Sequence, residues 1–252
     1  MKEQIKKALG FKDRARDARD EGDLPRALKL IDKAIALLEE LWSQKGAAID
    51  SAGANASPDE RDLVEALAET YGVKGGILRS NGDPASAVDA YDKGLVFEQH
   101  PARKVDNSYN LIQRLTNRVL AAPNMVGAPE WNVSSKDMWQ ELEKSRDELQ
   151  RQGISRGNDP WWAADVVTVQ LLLTPQDPSN GRQRVQKAYE AFEQLEPKPR
   201  VYESALRALG DLRNCLEQVA EGERSENLKV IIGQLKDITK QFEDGFEKAK
   251  TR

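Results

Sequence analysis

Apolar residues recur three and four positions apart along most of the chain. Leu24, Ala27, Leu28, Ile31, Ala34, Ile35, Leu38 and Leu41 form one wide stripe with a period near that of the α-helix. No run of alternating β-branched residues bounded by tight two-residue turns breaks this pattern, so the chain reads as all-α with no sheet expected. Start and stop signals divide it into about ten helices, placed at 2–20, 24–44, 58–80, 84–98, 103–120, 135–151, 160–173, 181–195, 200–219 and 225–250.

The clearest start is Ser57-Pro58-Asp59-Glu60, where Ser57 can cap, Pro58 loses nothing at the first helical position and Glu60 can close a capping box. Asp159-Pro160 repeats the signal, and Ser134 or Ser135 before Asp137 supplies a third. Stops fall at Gly22, Gly82, Gly153, between Pro175 and Gly181, between Pro197 and Pro199, and at Gly222. The stretches 47–57 and 121–133 read as loops. The second divides an N-terminal helical array, 1–121, from a C-terminal one, 134–252.

Two segments carry the same pattern. Ala15 and Gly75 each stand seven positions before a turn glycine, Gly22 or Gly82, which is followed by Asp23 or Asp83. Five residues after each glycine comes Ala27 or Ala87, then a bulky Ile31 or Tyr91, then a small Ala34 or Gly94. Small residues let two antiparallel helices approach closely, the bulky one fills the adjacent hole, and Gly-Asp makes the connection. The repeat is a helical hairpin written twice.

This pattern resembles the tetratricopeptide repeat, with the two copies 60 residues apart where that family's period is 34. A third copy spans 161–197, where Tyr189, Phe192 and Pro197 keep the offsets of a second helix and its exit. WWAADVVTVQLLL, KAYEAFEQLEP and VYESALRALGDL are also similar to sensor-type tetratricopeptide modules beside effectors in prokaryotic conflict systems, and to the regulatory region of some MAP kinase kinase kinases. The resemblance implies an irregular α-solenoid of antiparallel hairpins with a concave groove. The last helix, with Leu228, Ile231, Ile232, Leu235, Ile238, Phe242 and Phe246 along one side, reads as its cap; a dimerising seam that makes an oligomer is the alternative.

Charge and composition narrow the chemistry. Thirty-eight basic residues against 42 acidic ones, net -4, give no general attraction to nucleic acid or to a membrane. No apolar run is long enough to cross a bilayer, and the N-terminus lacks an apolar signal core, so a cytoplasmic protein is expected. Cys215 has no second cysteine to pair with, and the lone His100 offers no usual zinc set, so a reducing compartment, no structural metal and no cofactor are expected.

No nucleophile motif, metalloprotease motif or phosphate loop occurs, so the chain is not expected to be an enzyme. His100 reads as a solvated loop histidine and Cys215 as a core residue. Gly72, Gly75 and Gly76 read as points of close helix approach ahead of ligand contacts. One of Trp161 and Trp162 is expected to be exposed.

The resemblance makes the first helix of each hairpin the groove wall. Opposite the packing residues stand Arg16 and Arg19, then Arg79, then Arg114 and Arg118. Helix 103–120 adds Asn107, Asn110 and Asn117, read as a stripe opposite Val105, Tyr109, Ile112 and Val119. Guanidinium forks grip carboxylates and phosphates, and asparagines bond an extended backbone. The expected function is a non-enzymatic scaffold or adaptor that binds a protein or peptide partner, an acidic one by this charge pattern. The rival expectation is a regulatory subunit in defence or signalling that senses a small anion such as a nucleotide. The charged clamp by which some chaperone-binding tetratricopeptide domains hold a terminal carboxylate is not reproduced, since Arg16, Gly72 and Gly76 stand where its side chains would project.

Overall fold

The computed structural model describes residues 1–103, 106–128, 130–133, 136–219 and 221–251. The chain is all-α and divides into two compact units, 1–117 and 118–252. No helix among the described residues is long and apolar enough to cross a membrane.

Unit 1 is built from α1 (Lys2–Asp20), α2 (Leu24–Ala52), α3 (Pro58–Ser80), α4 (Pro84–Glu98) and the larger part of α5 (Tyr109–Ala121). Helices pack on their neighbours in sequence, α1 on α2, α2 on α3, α3 on α4, and α1 also reaches α3. This is the nearest-neighbour order of a solenoid.

The two hairpin turns repeat bond for bond. Gly22 and Gly82 adopt left-handed φ values of 82° and 76°. Asp23 N–H donates to the Ala18 carbonyl at 2.8 Å and Asp83 N–H to the Leu78 carbonyl at 3.0 Å, so each closes the last turn of its helix in the same way. Each aspartate then caps the next helix, accepting from the Arg26 or the Ser86 amide. Ala15, Ala27, Ile31, Ala34, Ala87 and Tyr91 are all buried. At the second crossing a methyl group on Gly75 would lie 2.5 Å from the Tyr91 ring, so the tyrosine occupies the space the glycine leaves.

Elsewhere the boundaries shift for local reasons. The 47–57 stretch is not a loop: α2 continues to Ala52, because Ala47 and Ala48 are good helix formers and Ile49 is buried. Gly46, inside the helix, makes room for the Trp42 ring. The break falls at Gly53, and Arg61 holds the remaining turn through the Ala54 and Ala56 carbonyls. The expected capping box at Ser57 and Glu60 is present.

The helix expected at 103–120 begins at Tyr109. Asn107 Oδ1 accepts from the Tyr109 amide, and the buried Glu98 carboxylate accepts from the Asn110 and Leu111 amides at 2.9 and 3.2 Å. A carboxylate from α4 thus fixes where α5 starts. Val105, assigned to its packing side, lies outside the described residues.

Unit 2 contains α6 (Met138–Arg156), α7 (Pro160–Leu173), α8 (Pro178–Gln194), α9 (Pro199–Glu217) and α10 (Glu226–Lys250). Before α6, a two-residue antiparallel ladder pairs β1 (Asn132–Val133) with β2 (Lys136–Asp137), a small departure from the sheet-free expectation. Ser134 and Ser135, the proposed caps of α6, lie outside the described residues; Asp137 caps it, accepting from the Trp139 amide. Gly153 does not end α6. It sits under Trp162, where a methyl group would lie 2.9 Å from the indole, and the helix runs on to Arg156. Likewise α8 starts at Pro178, earlier than the expected residue 181, because Asp177 caps it.

The core of unit 2 holds Tyr189, Phe192, Tyr202 and Phe242 in mutual ring contact. The Tyr189 and Tyr202 hydroxyls both donate to the Glu193 carboxylate. The apolar side of α10 is consumed here: Leu228, Ile231, Ile232, Leu235, Ile238 and Phe242 are buried against the other helices of the unit. Those residues are therefore not a seam open to a second chain, which corrects that alternative for the C-terminal helix.

Candidate functional site

The proposed site residues fall into two groups. Arg16, on α1, is exposed. Arg19 is half-buried; its Nε and Nη2 engage Asp20 at 3.0 and 2.8 Å, and its Nη1 turns toward α3. Arg79, in the last turn of α3, donates to Gln113 Oε1 at 3.0 Å. These three stay at the surface of unit 1.

The other five do not form a solvent-facing stripe. Asn107 caps α5. Asn110 is buried; its amide donates to the Ala68 carbonyl and to Glu98, and it fills the gap over Gly72 and Gly94, where added methyl groups would lie 2.9 and 2.6 Å from its Oδ1. Asn117 is buried and donates to the Gln113 carbonyl at 2.7 Å. Arg114 is buried beside Asp92 at 3.3 Å, and Arg118, the first residue of unit 2, is 1% exposed and paired with Glu141 at 3.1 Å. Each of the four donates to a partner inside the fold and so serves packing and pairing there, while the Oδ1 atoms of Asn110 and Asn117 are left without a hydrogen-bond partner.

Residues that the sequence marked only for packing, Gly76, Tyr91 and Tyr109, complete the surface arginines. A methyl group on Gly76 would sit 3.4 Å from Arg19 Nη1, 3.8 Å from the Tyr91 hydroxyl and 4.0 Å from the Tyr109 hydroxyl. Three donors from α1, α4 and α5 therefore converge over one side-chain-free spot on α3. Tyr91 is 0% exposed, and its hydroxyl faces that of Tyr109 with no close hydrogen-bond partner. Burial pushes its phenol well above the ordinary tyrosine range, against the opposing pull of the Arg79 and Arg19 charges, so it remains a neutral O–H donor. Tyr109 packs edge-on against it, with ring centroids 6.2 Å apart, and is 45% exposed. The spot lies beside the half-exposed Tyr109 and has the chemistry of an anion cradle: guanidinium charge, two phenolic donors and a glycine floor. The pattern did expose Tyr91, but as a hole filler; its hydroxyl is what carries chemistry.

His100 is not solvated. Its Nδ1 accepts from the Ala102 amide at 3.0 Å, which leaves Nε2 to donate to Asp50 at 2.9 Å, and its ring meets the edge of Trp42. Nε2 ties the end of α4 to α2 and Nδ1 holds the turn that follows, so the ring has a structural task. Cys215 lies half-buried with Sγ 3.7 Å from the Leu120 carbonyl, and burial pushes its thiol up, away from nucleophilic use. Trp161 is exposed, and Trp162 donates from its indole to the Leu149 carbonyl. Among the described residues no cluster of His, Cys, Asp and Glu could hold a metal ion.

Fold and site together define a class: an all-α protein of helical hairpins with a cationic, donor-lined spot on its first unit. No protein-family model matches the chain, and no curated protein does. Among solved structures, it is similar to a de novo designed helical repeat protein at 15% identity and a TM-score of 0.31, over 100% of this chain and 99% of that one.

Proposed function

We propose that the protein is a non-enzymatic interaction module of tetratricopeptide type that holds an acidic segment of a partner protein on the face formed by α1, α3 and α5. The observation that carries this reading is the convergence of Arg19 Nη1 with the Tyr91 and Tyr109 hydroxyls over Gly76. A carboxylate seated there would give the buried Tyr91 hydroxyl a closer acceptor than the Tyr109 hydroxyl it faces, and leaving a buried donor unmatched costs about 1–3 kcal/mol. Arg79 adds positive charge to the spot and Arg16 extends it along α1.

The test is fluorescence anisotropy with labelled Asp- and Glu-rich peptides at low salt, with nucleotides as competitors. Saturable peptide binding that weakens roughly tenfold in Arg19→Glu, in line with loss of a charged hydrogen bond, is expected. Equal binding to wild type and Arg19→Glu overturns the reading. Displacement of peptide by micromolar nucleotide would instead favour a regulatory subunit that senses a small anion, a reading the same guanidinium and phenol donors also support.

A further inference from the structure

In unit 2, α6 and α7 form an antiparallel hairpin pinned near its turn by Trp162, whose indole donates to the Leu149 carbonyl at 2.9 Å and whose ring rests on Gly153. Behind that contact the two helices leave a cavity of about 240 Å³ between them. Leu149 and Val169, both nearly fully buried, give it an apolar floor, and Trp162 and Val166 continue the apolar lining along α7. On α6 the exposed Arg146 and Gln150 stand one turn apart at the rim. Gln170 closes the end away from the hairpin turn, eight residues and about 12 Å along α7 from Trp162.

The lining has one sign of charge. Among the described residues it carries a single cation, Arg146, and no carboxylate, while Gln150 and Gln170 are neutral. Arg146 donates from Nε and Nη2 to Asp147 Oδ1 at 3.0 and 2.9 Å. That pair is open to water, 43% and 66% exposed, so it holds the guanidinium weakly, and it leaves Nη1 for another acceptor. The next carboxylate on α6, that of Glu148, is turned to Arg151 and Gln152, from which it accepts at 2.6 and 2.9 Å.

We propose that this cavity binds a small aromatic monocarboxylate, one ring carrying a short carboxylate arm. The ring lies over Leu149, Val166 and Val169 beside the Trp162 indole, where an aromatic pair adds to the gain from burial. The arm runs away from the hairpin turn, and its carboxylate meets Arg146 in a charge-assisted hydrogen bond. Size agrees with this ligand: an apolar cavity of about 150 Å³ takes up benzene, so about 240 Å³ has room for the arm as well. Charge sets the class. An amine in place of the carboxylate would face Arg146 with no acid in the lining to receive it, and a second carboxylate would find no second cation.

Calorimetry on the full chain tests this with 3-phenylpropionate, its neutral amide, the matching amine 3-phenylpropylamine, and propionate, which keeps the carboxylate without the ring. The expected result is one saturable phenylpropionate site per chain, with the amide weaker by roughly tenfold, the amine no better than the amide, and no saturation by propionate. Arg146→Gln should bring the acid down to the amide level and leave the amide unchanged. Val166→Phe fills the cavity and should abolish binding of both. Arg146 is exposed and Val166 half-buried, so both variants should fold, and circular dichroism checks it. If Val166→Phe unfolds, Arg146→Gln decides alone. No saturable phenylpropionate binding at millimolar concentration overturns the proposal, as does amide, amine or propionate binding as tight as that of the acid. An acid affinity unmoved by Arg146→Gln, or by Val166→Phe in its folded form, overturns it equally. Because the cavity lies wholly in unit 2, none of these outcomes depends on the anion cradle of unit 1.

Discussion

Two adjacent glycines on α3 separate packing from chemistry. A methyl group at Gly75 collides with the Tyr91 ring, whereas one at Gly76 meets its neighbours at ordinary contact distance. Gly75→Ala should therefore lose about 1–3 kcal/mol in urea unfolding through overpacking. Gly76→Ala should hold or gain stability, since alanine is the better helix former by up to about 1 kcal/mol, while acidic-peptide binding weakens because the cradle floor is raised. Glu98 offers a second residue-scale prediction. Burial raises its carboxyl above the usual value of 4.5, against the lowering effect of the Asn110 and Leu111 amides and of Arg103. The folded chain then holds that proton more readily than the unfolded one, so stability falls as pH rises from about 4.5 through the raised folded value. Urea midpoints across that window should fall in wild type relative to Glu98→Gln; a parallel pair of curves would refute the assignment. The close approach at Gly75 and the hole filled by Tyr91 were legible in the sequence; the chemistry at Gly76 and the burial of Glu98 were not. Asn110 and Asn117 looked like a polar stripe because polarity alone does not tell a solvated amide from one buried against a carbonyl.

The helices were far more legible than their side-chain roles, wherever capping was local. Asp159-Pro160 and Ser57-Pro58 mark their helices because cap and helix lie within a few residues of one another. Starts set from a distance were missed: nothing near residue 103 shows that Glu98 will cap α5 five residues beyond Lys104, and the small residues at 47–52 look like a loop until Ile49 is seen buried in unit 1. The length of α2 can be tested directly. Ala48 is exposed on the helix, so Ala48→Pro acts through the backbone alone and should cost about 3 kcal/mol, measured by thermal or urea unfolding. In a loop the same change would be close to neutral.

At the scale of the whole chain, periodicity and breakers gave an all-α protein of hairpins, and the structure is one. The division between units falls inside α5, after Asn117, where the sequence placed it in the 121–133 connection; a boundary within a helix leaves no polar linker to read. The seam of α10 looked the same in sequence whether it closed unit 2 or met a second chain. Ile231→Ala decides between these by its mechanism: it should destabilise by about 2–5 kcal/mol through a core cavity and leave the sedimentation coefficient of the folded protein unchanged.

The paired Gly-Asp turns have a kinetic consequence. Each closes contacts a handful of residues apart, so either hairpin can form without waiting for distant parts of the chain to meet, and chains rich in such local contacts fold quickly. Unit 1 therefore has two equivalent starting points for folding, at Gly22 and at Gly82. Slowing one with a left-handed-averse residue should shift traffic to the other, so that neither substitution alone lowers the folding rate as much as both together.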